Sequence, residues 1–214
     1  MPLLFPTKLP FAPGASPFHI KGSVYVSTLR RTAETAPDGL ARAIAALDDP
    51  ALQAFFRQKF LAGGWYDYLP ILMFARITNV LVVGSTKEQA LEERLQWTAK
   101  LHAEQDVGGL YKFLLRFTSP EAAMQRMPGI YRQYYDFGRV ETTILGEGVA
   151  DSVVHGWPEL AARFFQIYNR EFNDRVLVLA GARDTKAVYA PFEPDGETAG
   201  VPLVRMRIRT TWTT

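Results

Sequence analysis

The chain has no cysteine. That excludes disulfides, thiolate nucleophiles and cysteine-ligated metal, and it fits any compartment. Histidine is nearly as scarce: His19, His102 and His155 are the full set, and His-Glu-x-x-His spacing is absent. No Gly-x-Gly-x-x-Gly follows a strand-like run. Gly146-Glu147-Gly148 reads as a turn, which sets dinucleotide binding aside. No Gly-x-Ser-x-Gly elbow is present to expose a serine nucleophile. An excess of one charge sign is also missing. The 24 Lys+Arg and 22 Asp+Glu leave a net charge of +2, so the mean charge makes no case for nucleic acid or an anionic membrane. The longest apolar run, residues 69–83, is interrupted by Arg76 and Asn79 and is too short to span a bilayer. The N-terminus carries prolines where a signal peptide needs an unbroken apolar stretch. A cytoplasmic, bacterial protein is the expectation.

What is present is ample apolar material: 48% of 214 residues are hydrophobic, enough for a core of good size. Residues 1–20 carry five prolines and read as an extended arm on the surface. Residues 21–214 read as a single α+β domain. Helical spacing runs from Gly22 to Glu34, and Asp38 is placed to cap a short helix carrying Leu40, Ile44 and Leu47. Asp49-Pro50 is a strong helix start, with Leu52, Phe56 and Phe60 on one face and Gly63-Gly64 as the stop. Asp67 is the expected cap of a largely buried helix over 68–83, closed by Gly84. Ser85 and Glu88 have capping-box spacing for the next helix, to about Glu104. Residues 110–117 read as a further helical segment, and Ser119-Pro120-Glu121 as the start of a helix ended by Pro128-Gly129.

The period then changes. Residues 139–145 read as a strand, 158–172 as a helix, 175–180 as a compact apolar strand and 185–190 as its hairpin partner. Residues 191–200 read as a polar loop. The final run alternates, with Val204, Met206, Ile208 and Trp212 on one face and Arg205, Arg207 and Arg209 on the other. Helices followed by strands indicate an α+β fold in which a helical N-terminal two thirds packs on a C-terminal antiparallel sheet of about 3–4 strands.

The order of these elements resembles an uncharacterised paralogous family of myxobacterial proteins. The likeness runs over about residues 20–212. It rests on Gly22-Ser23-Val24-Tyr25, the aromatic segment from Trp65 to Pro70, the helix reaching Pro128, the Gly138-Arg139-Val140-Glu141 strand and the terminal Trp212. In outline the plan is similar to the haem-nitric-oxide sensors and the four-vinyl-reductase-type small-ligand domains. The haem sensors carry a Tyr-x-Ser-x-Arg motif for the haem propionates. Here Tyr131-Arg132-Gln133-Tyr134-Tyr135 lacks its serine and arginine, so no cofactor is expected and no metal.

His102 falls on a stripe with Leu91, Leu95 and Thr98. That position suits an axial ligand or a general base, and equally a histidine at the edge of an apolar face. Asp151-Ser152-His155 invites a triad reading, yet triad members normally come from separate elements, and a loop that caps the following helix is expected instead. Arg205, Arg207 and Arg209 form a row suited to a carboxylate or phosphate, or a solvated face with carboxylates opposite. Tyr131, Tyr134, Tyr135 and Phe137 gather where the period changes and offer aromatic walls with polar handles. These seven are the candidate ligand contacts. The function expected is a non-enzymatic small-molecule-binding or sensory module with an apolar cavity between helices and sheet, taking a small apolar or anionic ligand. The alternative is a protein-interaction or assembly module, a homodimer included, that uses the N-terminal arm or the sheet face.

Overall fold

The computed structural model of the chain describes residues 3–36, 38–108 and 119–214. The segment 110–117, expected to be helical, lies outside them. The fold is α+β, as the element order implied. Its contacts divide it into two compact units, Met1–Arg94 with Gln133–Phe137, and Leu95–Arg132 with Gly138–Thr214.

The first unit pairs two short strands, β1 (His19–Lys21) and β2 (Trp65–Asp67), antiparallel. Four helices belong to it: α1 (Gly22–Thr35), α2 (Gly39–Ala45), α3 (Pro50–Arg57) and α4 (Pro70–Val83). Asp49 caps α3 as expected, accepting from the Ala51 amide at 2.8 Å. Asp38 does not cap α2 through its side chain, which pairs instead with Arg42 one turn on. Nor does α3 reach Gly63. The chain leaves the helix at Gln58, and Phe60 instead stacks on Tyr25 with ring centroids 4.4 Å apart. The interior is aromatic: Phe56 stacks on Phe74 at 4.3 Å, and Tyr25, Phe56, Phe60 and Phe74 are all buried. Offset and edge-on ring pairs of this kind add to plain area burial.

Asp67 does not cap α4, whose N-cap is Leu69, but it holds the proline-rich segment. Its buried carboxylate accepts from the Gly14 amide at 2.9 Å, the Ser16 amide at 3.3 Å, the Ser16 hydroxyl and the Leu69 amide at 2.9 Å. Its backbone carbonyl accepts from the Tyr25 hydroxyl. Leu4, Phe5 and Phe18 are buried with it.

α5 (Glu88–Gly108) crosses the sequence boundary between the units. The second unit follows with α6 (Pro120–Tyr134) and α7 (Glu159–Leu179) beside a five-stranded antiparallel sheet. Its strands are β3 (Arg139–Gly146), β4 (Val149–Pro158), β5 (Arg183–Tyr189), β6 (Glu193–Thr198) and β7 (Val201–Thr213). Their order is β3-β4-β7-β5, with β6 on β7 as well. Ala123, Met124, Met127, Ala150, Val176, Leu177 and Trp212 form its core.

Four expectations fail here. Pro128 does not end α6, which continues to Tyr134. A proline removes one helical hydrogen bond, but Met124, Met127 and Tyr131, buried on both sides of it, keep the next turn in place. Residues 175–180 are not a strand; they belong to the end of α7 and its C-cap, and Val176 and Leu177 continue its buried stripe. A short apolar run cannot be told from a strand by periodicity alone. Residues 151–155 are not a capping loop. They lie in β4, where Ala150, Ser152 and Val154 are buried in alternation. Within the expected polar loop, residues 193–198 pair with β7.

Glycine decides the geometry at one turn. Gly138 has φ +64, and a Cβ there would lie 2.5 Å from the His155 carbonyl oxygen and 2.8 Å from the Tyr131 hydroxyl. Only glycine admits both the left-handed backbone and that approach.

Candidate functional site

The four aromatic candidates divide between the units: Tyr134, Tyr135 and Phe137 in the first, Tyr131 in the second. In the first unit, Tyr135 and Phe137 lie edge to face at 5.6 Å. Tyr68 meets Tyr135 at 5.8 Å and Phe137 at 5.7 Å, and Phe18 meets Phe137 at 5.2 Å. All three candidates there are half-buried. Tyr131 is buried in the second unit, 6.1 Å from Trp157. Trp157 in turn stacks on Phe165 at 3.7 Å.

The arginine row stands on one face of β7, as its alternation implied, and each guanidinium meets a carboxylate. Arg205 and Arg207 share Glu193 of β6, with the Arg207 Nε 3.1 Å from Oε1. Arg209 forks onto Asp151 of β4 with bonds of 2.8 and 2.7 Å. These contacts hold the Glu193 and Asp151 carboxyls below the usual range, the hydrogen bond from Arg205 or Arg209 being the largest cause. An incoming anion has to compete with both.

The Asp-Ser-His run is dispersed by its strand. Asp151 engages Arg209. Ser152 shares a 3.0 Å hydroxyl contact with Thr142. His155 lies between Asp195 at 3.4 Å and Glu141 at 3.8 Å. His102 is half-buried, and its Nδ1 is 3.3 Å from the Tyr168 hydroxyl. His19 pairs with Asp136 at 2.7 Å. Among the described residues, no group of three or more His, Cys, Asp or Glu is arranged to hold a metal ion.

The sequence did not point to a groove of about 370 Å³ within the second unit. Arg170, Glu171, Asn173 and Asp174 of α7 line it with Lys186 of β5 and Thr210 of β7. The spacing 170, 171, 174 and 177 is that of one helix face, but reading residues 175–180 as a strand cut that face in two. Thr210 sits on the buried face of β7, and alternation alone does not mark a polar residue there as functional.

An α+β unit built on an antiparallel sheet, with α6 and α7 beside it, defines the class. No family model matches the chain and no curated protein matches it. Solved structures do. An H-NOX mutant from T. Tengcongensis superposes with a TM-score of 0.59 at 8% identity, covering 90% of this chain and 96% of that one. The Fe(II) unliganded H-NOX protein from K. algicida gives 0.59 at 10% identity, over 91% and 97%. A third, described as "Probing the function of heme distortion in the H-NOX family", gives 0.58 at 9%, over 90% and 93%. The chain therefore has the H-NOX type of fold. The haem-sensor outline is supported by these structures, and the myxobacterial likeness by no sequence comparison.

Haem is the group this fold implies, and the described residues at the propionate-motif positions do not suit it. Exposed Gln133 stands where the propionate motif has serine. Tyr135 stands where it has arginine, its ring packed on Tyr68 and Phe137. An aromatic ring supplies no positive charge to a carboxylate. Among the described helices none is long and apolar enough to cross a membrane.

Proposed function

We propose that the chain is a non-enzymatic, small-molecule-binding sensory module that uses the H-NOX type of fold without haem. The observation that carries this reading is the likeness to haem-sensor domains over about nine tenths of the chain, joined to the loss of the charged part of the propionate motif. The ligand is small and either apolar or anionic, held in an apolar cavity between helices and sheet. Tyr134, Tyr135 and Phe137 are proposed as aromatic contacts within the first unit, and Tyr131 separately as one within the second, the tyrosine hydroxyls serving as polar handles. Arg205, Arg207 and Arg209 are the weaker candidates, because each already holds a carboxylate.

Native mass spectrometry of freshly purified protein tests the reading. The expected spectrum shows the chain with a small organic molecule that is released on denaturation and is not haem. A bare chain in a stable homo-oligomer would overturn it and favour an assembly role.

A further inference from the structure

The groove beside α7 combines a cavity, unpaired charge and a stranded polar atom. Thr210 is 2% exposed, and its Oγ1 has no hydrogen-bond partner among the described residues. A buried hydroxyl left unpaired costs stability, yet valine would fill the same volume without that cost. Asn173 is also buried at the groove. Its Nδ2 donates to Asn169 Oδ1 at 3.1 Å, and the Tyr189 hydroxyl donates to the same oxygen at 2.9 Å. The amide is thus fixed in orientation where it borders the groove.

The charges are arranged differently from those on the opposite side of β7's alternation. Arg205, Arg207 and Arg209 are all paired. At the groove, neither Glu171 nor Asp174 has a cationic partner within 4 Å among the described residues. Burial raises both carboxyl pKa values, and the charge of Asp174 raises that of Glu171 further, with Lys100 and neighbouring arginines only partly offsetting this. Lys186 lines the same groove, exposed and without an ion pair among the described residues, and Arg170 lies over the Tyr189 ring at 5.3 Å. The groove therefore has a polar floor and a rim bearing two carboxylates and two cations, none of which forms an ion pair within 4 Å with another among the described residues.

We propose that this groove binds a small zwitterion of the amino-acid class, in which Glu171 and Asp174 take the ammonium, Lys186 and Arg170 the carboxylate, and Thr210 Oγ1 a polar group over the floor. A cation between the two carboxylates relieves their mutual repulsion, and a carboxylate beside Lys186 and Arg170 gives both cations a counter-ion. A ligand with only one sign of charge satisfies half the rim. The geometry needs nothing from the aromatic candidates, so this site stands or falls apart from them.

The test is calorimetric titration of the full-length protein with each of the common L-amino acids, followed by the N-acetyl and methyl-ester forms of the tightest binder. At least one amino acid is expected to bind, and both blocked forms to bind about tenfold more weakly or not at all. Glu171→Gln and Lys186→Met are each expected to weaken binding by a similar factor. Thr210→Val separates structure from binding: it is expected to raise the unfolding midpoint of the free protein while weakening the amino acid about tenfold. No heat with any amino acid, equal binding of butane-1,4-diamine, which would make this a cation site only, or binding indifferent to Thr210→Val and Glu171→Gln would each overturn the proposal.

Discussion

Two groups of carboxylates show what separates structure from site in this molecule. Asp67, in the first unit, is buried, and its side chain accepts four hydrogen bonds from Gly14, Ser16 and Leu69. It organises the proline-rich segment, and every donor aimed at it is satisfied. Glu171 and Asp174, in the second unit, are partly desolvated, feel Lys100 and nearby arginines only at a distance, and form no ion pair within 4 Å among the described residues. A buried charge that is fully paired supports a fold, whereas a desolvated charge left unpaired lowers stability unless something else completes it. The Tyr25 hydroxyl belongs to the first kind: burial foremost, and then the charge of Asp67, pushes its pKa well above the ordinary tyrosine value, so it stays a donor.

The comparison can be broken at its apolar frame first. Phe56 is 2% exposed and stacked on Phe74. Phe56→Ala should lose about 3–5 kcal/mol of unfolding free energy, read by urea denaturation. A loss under about 1 kcal/mol would mean that the aromatic interior of the first unit is not closely packed. The next effect is at the carboxylate itself. Asp67→Asn turns one acceptor oxygen into a donor facing the Gly14 and Ser16 donors or the Leu69 amide. It should cost about 1–3 kcal/mol and speed proteolysis within residues 3–18.

Glu171→Gln should do the opposite. Its folded pKa is raised, so its charge weighs against folding at neutral pH, and that penalty fades as the pH falls through the raised value. The variant should therefore unfold at a slightly higher urea concentration than the parent at pH 7, with the two converging in acid. A clear destabilisation at pH 7 would show that Glu171 has a structural partner and would erase the contrast with Asp67. The smallest effect belongs to the surface row. Arg209→Gln breaks the fork to Asp151, but both groups are partly exposed to water, where such pairs contribute little. Its melting temperature should match the parent's.

Helices with unambiguous punctuation were legible in the sequence. Asp49-Pro50 starts α3, Gly84 stops α4, and the 3.6-residue period buries Leu52 and Phe56 on one face. The alternation of β7 was legible for the same reason. The errors came where local signals are outweighed by packing. Pro128 looks like a stop, but buried residues on both flanks carry the helix past it. Asp151 and Ser152 look like loop residues until β3 and β7 pair on either side of them. Arg175 to Ala180 reads as a strand because an apolar run of that length carries no period of its own. The groove was invisible because a helix and two strands make it only once folded, and because the expected helix stopped at residue 172, short of Asn173, Asp174 and Leu177. The short strands β1 and β2 were also missed: three residues each are too few to show alternation.

The proposal that this H-NOX type of fold works without haem is tested most directly by reconstitution. The purified chain is incubated with excess haem, passed through gel filtration and examined by absorption spectroscopy, in parallel with His102→Ala. The account predicts no Soret band co-eluting with the protein beyond a weak, nonspecific signal that is the same in both. A strong band that stays with the parent chain and disappears in His102→Ala would contradict it.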